Sequence, residues 1–302
     1  MATVNIPPSN YGVHVGIERR PIVSNGDLAE LLWRAGEEET DHRRRALRRA
    51  AGAARYWIEE ASALAEAGRS LTELPAVGPW IAGTIHAWLD APPAMPEPDE
   101  TRRGFLTLAE VRRVLDADPA WEHTPHADLQ MHTTDSDGSL PLDEMVAAAR
   151  SLGRTFIAIT DHSKSLTIAN GMSEERLADQ IVRIDELNGG LARTGDPFRV
   201  LRSIEMDVFV DGSADMEPEV LASLDLVLGA FHSKLRIRED QTERYLEALR
   251  NPSIHVLAHP KARMYGRRAG LQADWPRVFA EAEDRVVPVR ADKDVGPGRS
   301  DE

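Results

Sequence analysis

From His126 onward, five short apolar runs alternate with amphipathic stretches. The runs are ADLQMHT (127–133), TFIAITDH (155–162), FRVLRSIEMDV (198–208), LDLVLGAFHS (224–233) and SIHVLAHP (253–260). LDEMVAAARSLG, SEERLADQIVRIDELN and DQTERYLEALRNP lie between them with helical spacing. Runs of strand length separated by helices predict parallel strands joined by crossover helices. Their apolar character fits strands covered on both faces. In folds of this kind the carboxyl ends of the strands, and the loops after them, carry the functional groups.

Each run closes on a side chain that can hold a metal: His132, Asp161-His162, Glu205, His232 and His259. Asp137 follows His132 across a Ser-Asp-Gly turn. A lone polar strand end is usually a surface residue; five in succession point to one site. The chain has no cysteine, so thiolate ligands, disulfides and a cysteine nucleophile are excluded and any metal rests on His, Asp and Glu. Neutral imidazole with carboxylate suits Zn²⁺, Mn²⁺ or Fe²⁺. Neighbouring ions acidify water and neutralise the oxygens of a phosphate ester, so phosphoester hydrolysis is the natural expectation. The same ligands also serve attack on carbon, which leaves amide or amine hydrolysis open.

DLQMHTTDSDGS, AITDHS, SIEMDV, AFHS and VLAHP, in this order, resemble the PHP (polymerase and histidinol phosphatase) family. The likeness spans about residues 126–283 and is similar to the PHP domain of bacterial X-family DNA polymerases. It implies a distorted seven-stranded (β/α) barrel, up to three metal ions and phosphoesterase chemistry. Histidinol phosphate is a substrate in some members; the polymerase-linked ones act as 3′–5′ exonucleases or process 3′ ends of DNA. By this resemblance His132, Asp137, His162, Glu205, His232 and His259 are the metal ligands. Asp161 is expected to orient His162, and Asp207 to stand behind the ligands. His162 or His232 could also serve the leaving oxygen, and Lys261 and Arg263 are candidate phosphate clamps.

Two departures qualify the match. Many members begin with His-x-His where this chain has Gln130-Met131-His132, at the cost of one ligand; the polymerase-type branch often carries Gln there. The family also ends on a further strand and an Asp-x-His pair. Here WPRVFAEAEDR is followed by VVPVRADKDVGPGRSDE, which has no His and only Asp292 and Asp294 as stand-ins. The expected architecture is therefore an α/β PHP barrel over 126–284 missing its C-terminal strand or strands, with 285–302 a disordered tail.

Ahead of the barrel the pattern is helical. Residues 1–24 contain Pro7, Pro8 and Pro21 and read as an irregular lead-in without the basic-then-apolar order of a signal peptide. Residues 25–90 read as a small all-α domain, with Asn25 or Asp27 expected to cap the first helix. LTELPAVGPWIAGTIHAWL resembles a helix-hairpin-helix motif, and the helices before it resemble the lyase-like domain of X-family polymerases. That motif directs backbone N–H groups, here of Val77 and Gly78, toward a DNA phosphate. Ala76 replaces the usual first glycine, and Trp80 stands where a basic residue is frequent. Arg43, Arg44, Arg45, Arg48 and Arg49 could add a cationic face, or form a solvated one balanced by the acidic run 37–41. No lysine lies in residues 1–100, which leaves no Schiff-base lyase chemistry. Residues 91–125 read as a Pro-rich acidic linker and a short bridging helix, with nothing resembling a polymerase palm; no polymerase activity is expected.

The net charge of −14 argues against a general nucleic-acid coat, though not against a local basic patch. No stretch of membrane-spanning length is apolar, and a cytoplasmic protein is expected. Three functions follow: a metal-dependent phosphoesterase acting on DNA ends, a phosphatase of small phosphate esters, or a DNA-binding or interaction protein whose catalysis is impaired by the missing Asp-x-His pair.

Overall fold

A computed structural model describes residues 23–117 and 126–284. Two compact units emerge: residues up to 98 with 104–119, and residues 99–103 with those from 120 onward. Asp292, Asp294 and residues 1–22 of the proline-rich lead-in lie outside the described residues.

The first unit is all-helical. Its elements are α1 (Asn25–Glu38), α2 (Asp41–Ala54), α3 (Ala61–Glu66), a 3-10 turn (Leu71–Glu73), α4 (Pro79–Asp90) and α5 (Leu108–Ala117). The i, i+3, i+4 apolar spacing of α1 buries Leu28, Leu31 and Leu32 against Leu47, Trp57, Leu64 and Ile85. Each such side chain contributes about 1.5–3 kcal/mol. The α1 cap is Ser24, not Asn25 or Asp27: its hydroxyl takes the Asp27 N–H while the Asp27 carboxylate takes the Ser24 N–H. Asn25 is spent elsewhere, donating to Glu59 O at 2.8 Å and accepting from Ala61 N at 2.9 Å. The short helix after the linker, α5, joins this unit instead of bridging: Leu108 N donates to Arg55 O, and the Arg55 guanidinium donates to Phe105 O.

The second unit is α/β. Five strands, β1 (Ala127–Asp128), β2 (Phe156–Ile159), β3 (Arg199–Asp207), β4 (Leu226–Ala230) and β5 (Val256–Leu257), pair in sequence order and all in parallel. The crossovers run through α6 (Leu142–Ser151), α7 (Glu174–Arg193), α8 (Pro218–Leu221) and α9 (Thr242–Arg250), and α10 (Trp275–Asp284) follows β5. A sheet whose strands always step the same way curls on itself, giving a half-barrel that matches the partial barrel expected. Its core joins Ile204, Met206 and Val227 of the sheet with Val208, Phe231, Tyr245 and Val278.

The strands are shorter than their apolar runs suggest, β1 and β5 most of all at two residues each. Past Asp128 the chain stays beside β2 by way of a side chain: Met131 N donates to Thr160 Oγ1, and Thr160 N donates to Met131 O. His132 thus sits four residues beyond β1, whereas Glu205 lies inside β3. No described helix is long and apolar enough to cross a membrane.

Candidate metal centre

Glu205 is the centre of the site. It is 1% exposed, and four imidazoles surround it. His259 Nε2 lies 2.7 Å from Oε1 and His232 Nε2 3.3 Å from the same oxygen. His132 Nε2 lies 3.3 Å and His162 Nδ1 3.9 Å from Oε2. The rings follow one another: His132 stacks on His162 at 4.4 Å between centroids, His162 meets His232 edge-on at 5.1 Å, and His232 lies 5.4 Å from His259. Glu205 is shared by two triads whose ligating atoms lie within 4.8 Å of one another, His132–His162–Glu205 and Glu205–His232–His259.

Burial alone would raise the Glu205 pKa, but the imidazoles of His132, His232 and His259 outweigh it and hold the carboxyl well below the usual range. Glu205 raises His132 in return. Burial lowers His162, the most enclosed of the four rings. Burial opposes protonation of His232 as well, yet Asp207 and Glu205 override it and raise its pKa to about 9.

The donor set fits divalent metal. Among the described residues, Nδ1 of His132, His162 and His232 are buried without a hydrogen-bond partner. For His132 and His162 such an atom costs about 1–3 kcal/mol when left unpaired, whereas His232 Nδ1 faces the Asp207 carboxylate at 3.5 Å. Imidazole nitrogens converging on a shared carboxylate are the ligands that borderline divalent ions prefer.

The surroundings fix these side chains. Asp207 accepts from His232 N at 3.4 Å and lies 3.5 Å from its Nδ1. Behind it, Ser163 Oγ accepts from Asp207 N at 2.8 Å and donates to Asp215 at 2.8 Å. His259 adopts a left-handed backbone (φ 27°), a strained conformation that a constrained site can hold. The carbonyl after it, Pro260 O, accepts from the buried Tyr245 hydroxyl.

Comparison with known proteins finds relatives of two named kinds. The chain is 38% identical over 175 residues to a DNA polymerase/3′-5′ exonuclease PolX of Bacillus subtilis, a match covering 58% of this chain and 30% of that protein. It is 28% identical over 138 residues to a probable phosphatase of Syntrophotalea carbinolica, and 27% over 141 residues to the probable phosphatase YcdX of Shigella flexneri. Those two matches cover 44% of this chain and 53% and 52% of the phosphatases, so the chain spans about half or less of these relatives. No family model matches the chain. These similarities to a PolX protein and to probable phosphatases support the PHP-type resemblance carried by the motifs.

Around Glu205 the structure brings together five of the six expected ligands. Asp137 stands at the margin, exposed, with Oδ1 3.7 Å from His162 Nε2. Asp161 does not orient His162 as expected. Its carboxylate accepts from Thr133 N and Oγ1 at 2.7 Å each, from Ser136 Oγ, and from Gln180 Nε2 at 2.7 Å, and so secures the loop carrying Asp137. Lys261 and Arg263 also differ from expectation as phosphate clamps. The Lys261 ammonium lies 5.4 Å over the Trp275 ring, and Arg263 donates to Arg103 O.

Three residues that sequence reasoning gave no positioning role now have one. Gln130, read as a lost ligand, donates from Nε2 to Glu205 Oε2 at 3.0 Å. Gln180 bridges Asp161 and Asp135. Asp215 anchors Ser163. The available sign for Gln180 was its place between Leu177 and Ile184 at helical spacing, an amide on the apolar stripe of α7.

In the helical unit, Ala76 takes the left-handed conformation (φ 65°) that a glycine would occupy freely. Val77 is buried and its N–H donates to Leu74 O at 3.2 Å, so it cannot offer that donor to a phosphate. Gly78, exposed at the N-cap of α4, is the member of the pair in reach. Arg48 lies over Trp33 at 3.6 Å and pairs with Glu37, and Arg43 pairs with Glu39.

Proposed function

We propose that the barrel unit is a divalent-metal-dependent phosphoester hydrolase that processes DNA ends, of the 3′–5′ exonuclease or 3′-end-trimming type. The observation that carries this reading is one buried carboxylate, Glu205, shared between two histidine pairs. Zn²⁺, Mn²⁺ or Fe²⁺ held there, up to three ions with Asp137 included, would activate water and neutralise the charge of a phosphate ester. The chain's own residues then act by placement. Gln130 orients one oxygen of Glu205, Asp207 steadies His232, and Asp161 holds the Asp137 loop. Whichever of His162 and His232, the two most enclosed imidazoles of the cluster, is not fully committed to metal would serve the leaving oxygen. DNA as substrate is supported by the PolX relative, and by the Gly78 amide at the start of α4 as a sequence-independent phosphate contact.

The test uses the full chain, stripped of metal and reloaded with Mn²⁺, Zn²⁺ or Fe²⁺, on 3′-labelled DNA and on p-nitrophenyl phosphate. Glu205→Gln should lower metal content and reduce hydrolysis by about 100-fold or more. Native-like turnover by that variant would sink the reading. A second reading, a small-molecule phosphatase, is favoured by the phosphatase relatives. Cleavage of p-nitrophenyl phosphate alone, with no gel shift of DNA at low salt, would select it. A folded chain that takes up less than one equivalent of metal would instead indicate a catalytically impaired binding protein.

A further inference from the structure

The chain carries a net charge of −14, yet the two loops leaving His232 and His259 are cationic. Residues 233–241 hold Lys234, Arg236 and Arg238 against Glu239 and Asp240, and residues 260–272 hold four cations and no acid. Both loops start at the carboxyl ends of β4 and β5, the end of the sheet where His232 and His259 sit.

The loops form a built structure. Residues 261–271 close a hairpin, with Met264 paired to Arg268 and Leu271 N donating to Lys261 O. Gly270 makes the closure possible: it has φ +98°, and a Cβ there would lie 2.5 Å from Lys261 O. The second loop is tied on through Asp240 and Gln272, and Arg236 Nη1 donates to Arg267 O at 3.2 Å. Between them lies a cavity of about 410 Å³ lined by Arg236, Arg238, Arg267 and Arg268, with Glu100 the only acid among its described lining residues. Glu100 is engaged by Arg238 at 2.5 and 2.8 Å. Among the described residues, Arg236, Arg267 and Arg268 face no carboxylate within ion-pair distance, while Arg268 Nε is held by Ala262 O and leaves its outer nitrogens for a ligand.

We propose that this arginine pocket grips the phosphodiester backbone of a single nucleic-acid strand, at a phosphate other than the one that reacts beside Glu205. The inference rests on the phosphoesterase reading above and narrows its substrate. Guanidinium groups pair with phosphate oxygens in bidentate fashion, and three that lack a carboxylate exceed what one phosphate needs. A small monoester places its single phosphate at the metal centre and has none left for this pocket. Burial, and then the positive charge of Arg236, lower the Arg268 pKa, a repulsion that a bound anion relieves.

The test is fluorescence anisotropy of the full chain with a short labelled oligothymidylate, in chelator, across a salt series. Arg267→Ala and Arg236→Ala should each weaken binding and flatten the log–log salt dependence by about 0.7, the single-strand value for one phosphate contact. The Arg267 side chain has no partner among the described residues, so its removal costs the fold nothing visible. Arg193→Ala, at the opposite end of the sheet where α7 leads into β3, should keep the native slope. Native slopes in both pocket variants would overturn the proposal. So would calorimetric binding of inorganic pyrophosphate by a chain that binds no strand, which would make this a small-anion site. Because metal is absent throughout, failure here leaves the metal reading intact, and failure of the metal reading leaves this measurement interpretable.

Discussion

Gly138→Ala tests whether the loop after β1 is held to the tolerance that a metal centre requires. A Cβ on Gly138 would lie 2.1 Å from His132 O, 2.4 Å from His132 C and 2.7 Å from Thr133 N. All three are backbone atoms, so no side chain can swing aside. Ordinary contact distances of about 3.5 Å would require the loop to open by on the order of 1 Å. Yet the loop is pinned. Gly138 N and Ser136 N both donate to Thr133 O at 2.9 and 3.1 Å, and Asp161 holds Thr133 and Ser136 from below. Overpacking of this kind costs about 1–3 kcal/mol, and the displaced residues include His132 and lie next to Asp137. A metal ligand moved by about 1 Å should weaken affinity about 10–100-fold. The assay is metal affinity by competition with a chromophoric chelator, beside urea unfolding in EDTA. Gly83→Ala, in α4 where a Cβ meets nothing within 4 Å, is the control and should gain up to about 1 kcal/mol without changing metal affinity. Native metal affinity in Gly138→Ala would refute the claim that this turn positions the site.

Three other outcomes follow from the same structure. Asn25→Ala strips the partners of Glu59 O and Ala61 N inside the helical unit and should cost about 2–3 kcal/mol in urea unfolding; a loss below about 0.5 kcal/mol would contradict its place in that core. Tyr245→Phe leaves Pro260 O without its donor, with an expected loss of about 1–2 kcal/mol and slower metal uptake at the neighbouring His259; unchanged melting would show that the hydroxyl is dispensable. For metal-free protein, His232 is raised from 6.5 to about 9, so its contribution is complete below pH 6.5 and is lost as the pH climbs to 9. That span corresponds to about 3 kcal/mol at most, seen as a native-minus-His232→Gln stability difference in EDTA that shrinks over the interval. A difference that stays constant or grows would show that Asp207 and Glu205 do not hold that proton.

The parts of the site visible in the sequence were those where a polar residue interrupts an apolar run. Glu205 is the sharpest case: a carboxylate in a strand otherwise buried from Ser203 to Asp207 has to be matched by partners. His232 and His259, each two residues past a strand, follow the same logic. Parallel pairing was legible too, because helical segments separate the runs. What could not be read is whatever depends on which loops meet. Gln130 and Glu205 are 75 residues apart, and nothing in Gln130-Met131-His132 says that the amide will face that oxygen. Asp161 illustrates the opposite failure. Its neighbour His162 invited a local pairing, but the folded loop delivers Thr133, Ser136 and Gln180 to the carboxylate, and four charge-assisted donors take precedence over one ring. The arginine pocket was hidden for a third reason. Charged residues in loops are ordinarily solvated, and it takes the hairpin closed at Gly270, tied across Asp240 and Gln272, to turn Arg236, Arg267 and Arg268 from surface charges into the wall of one cavity.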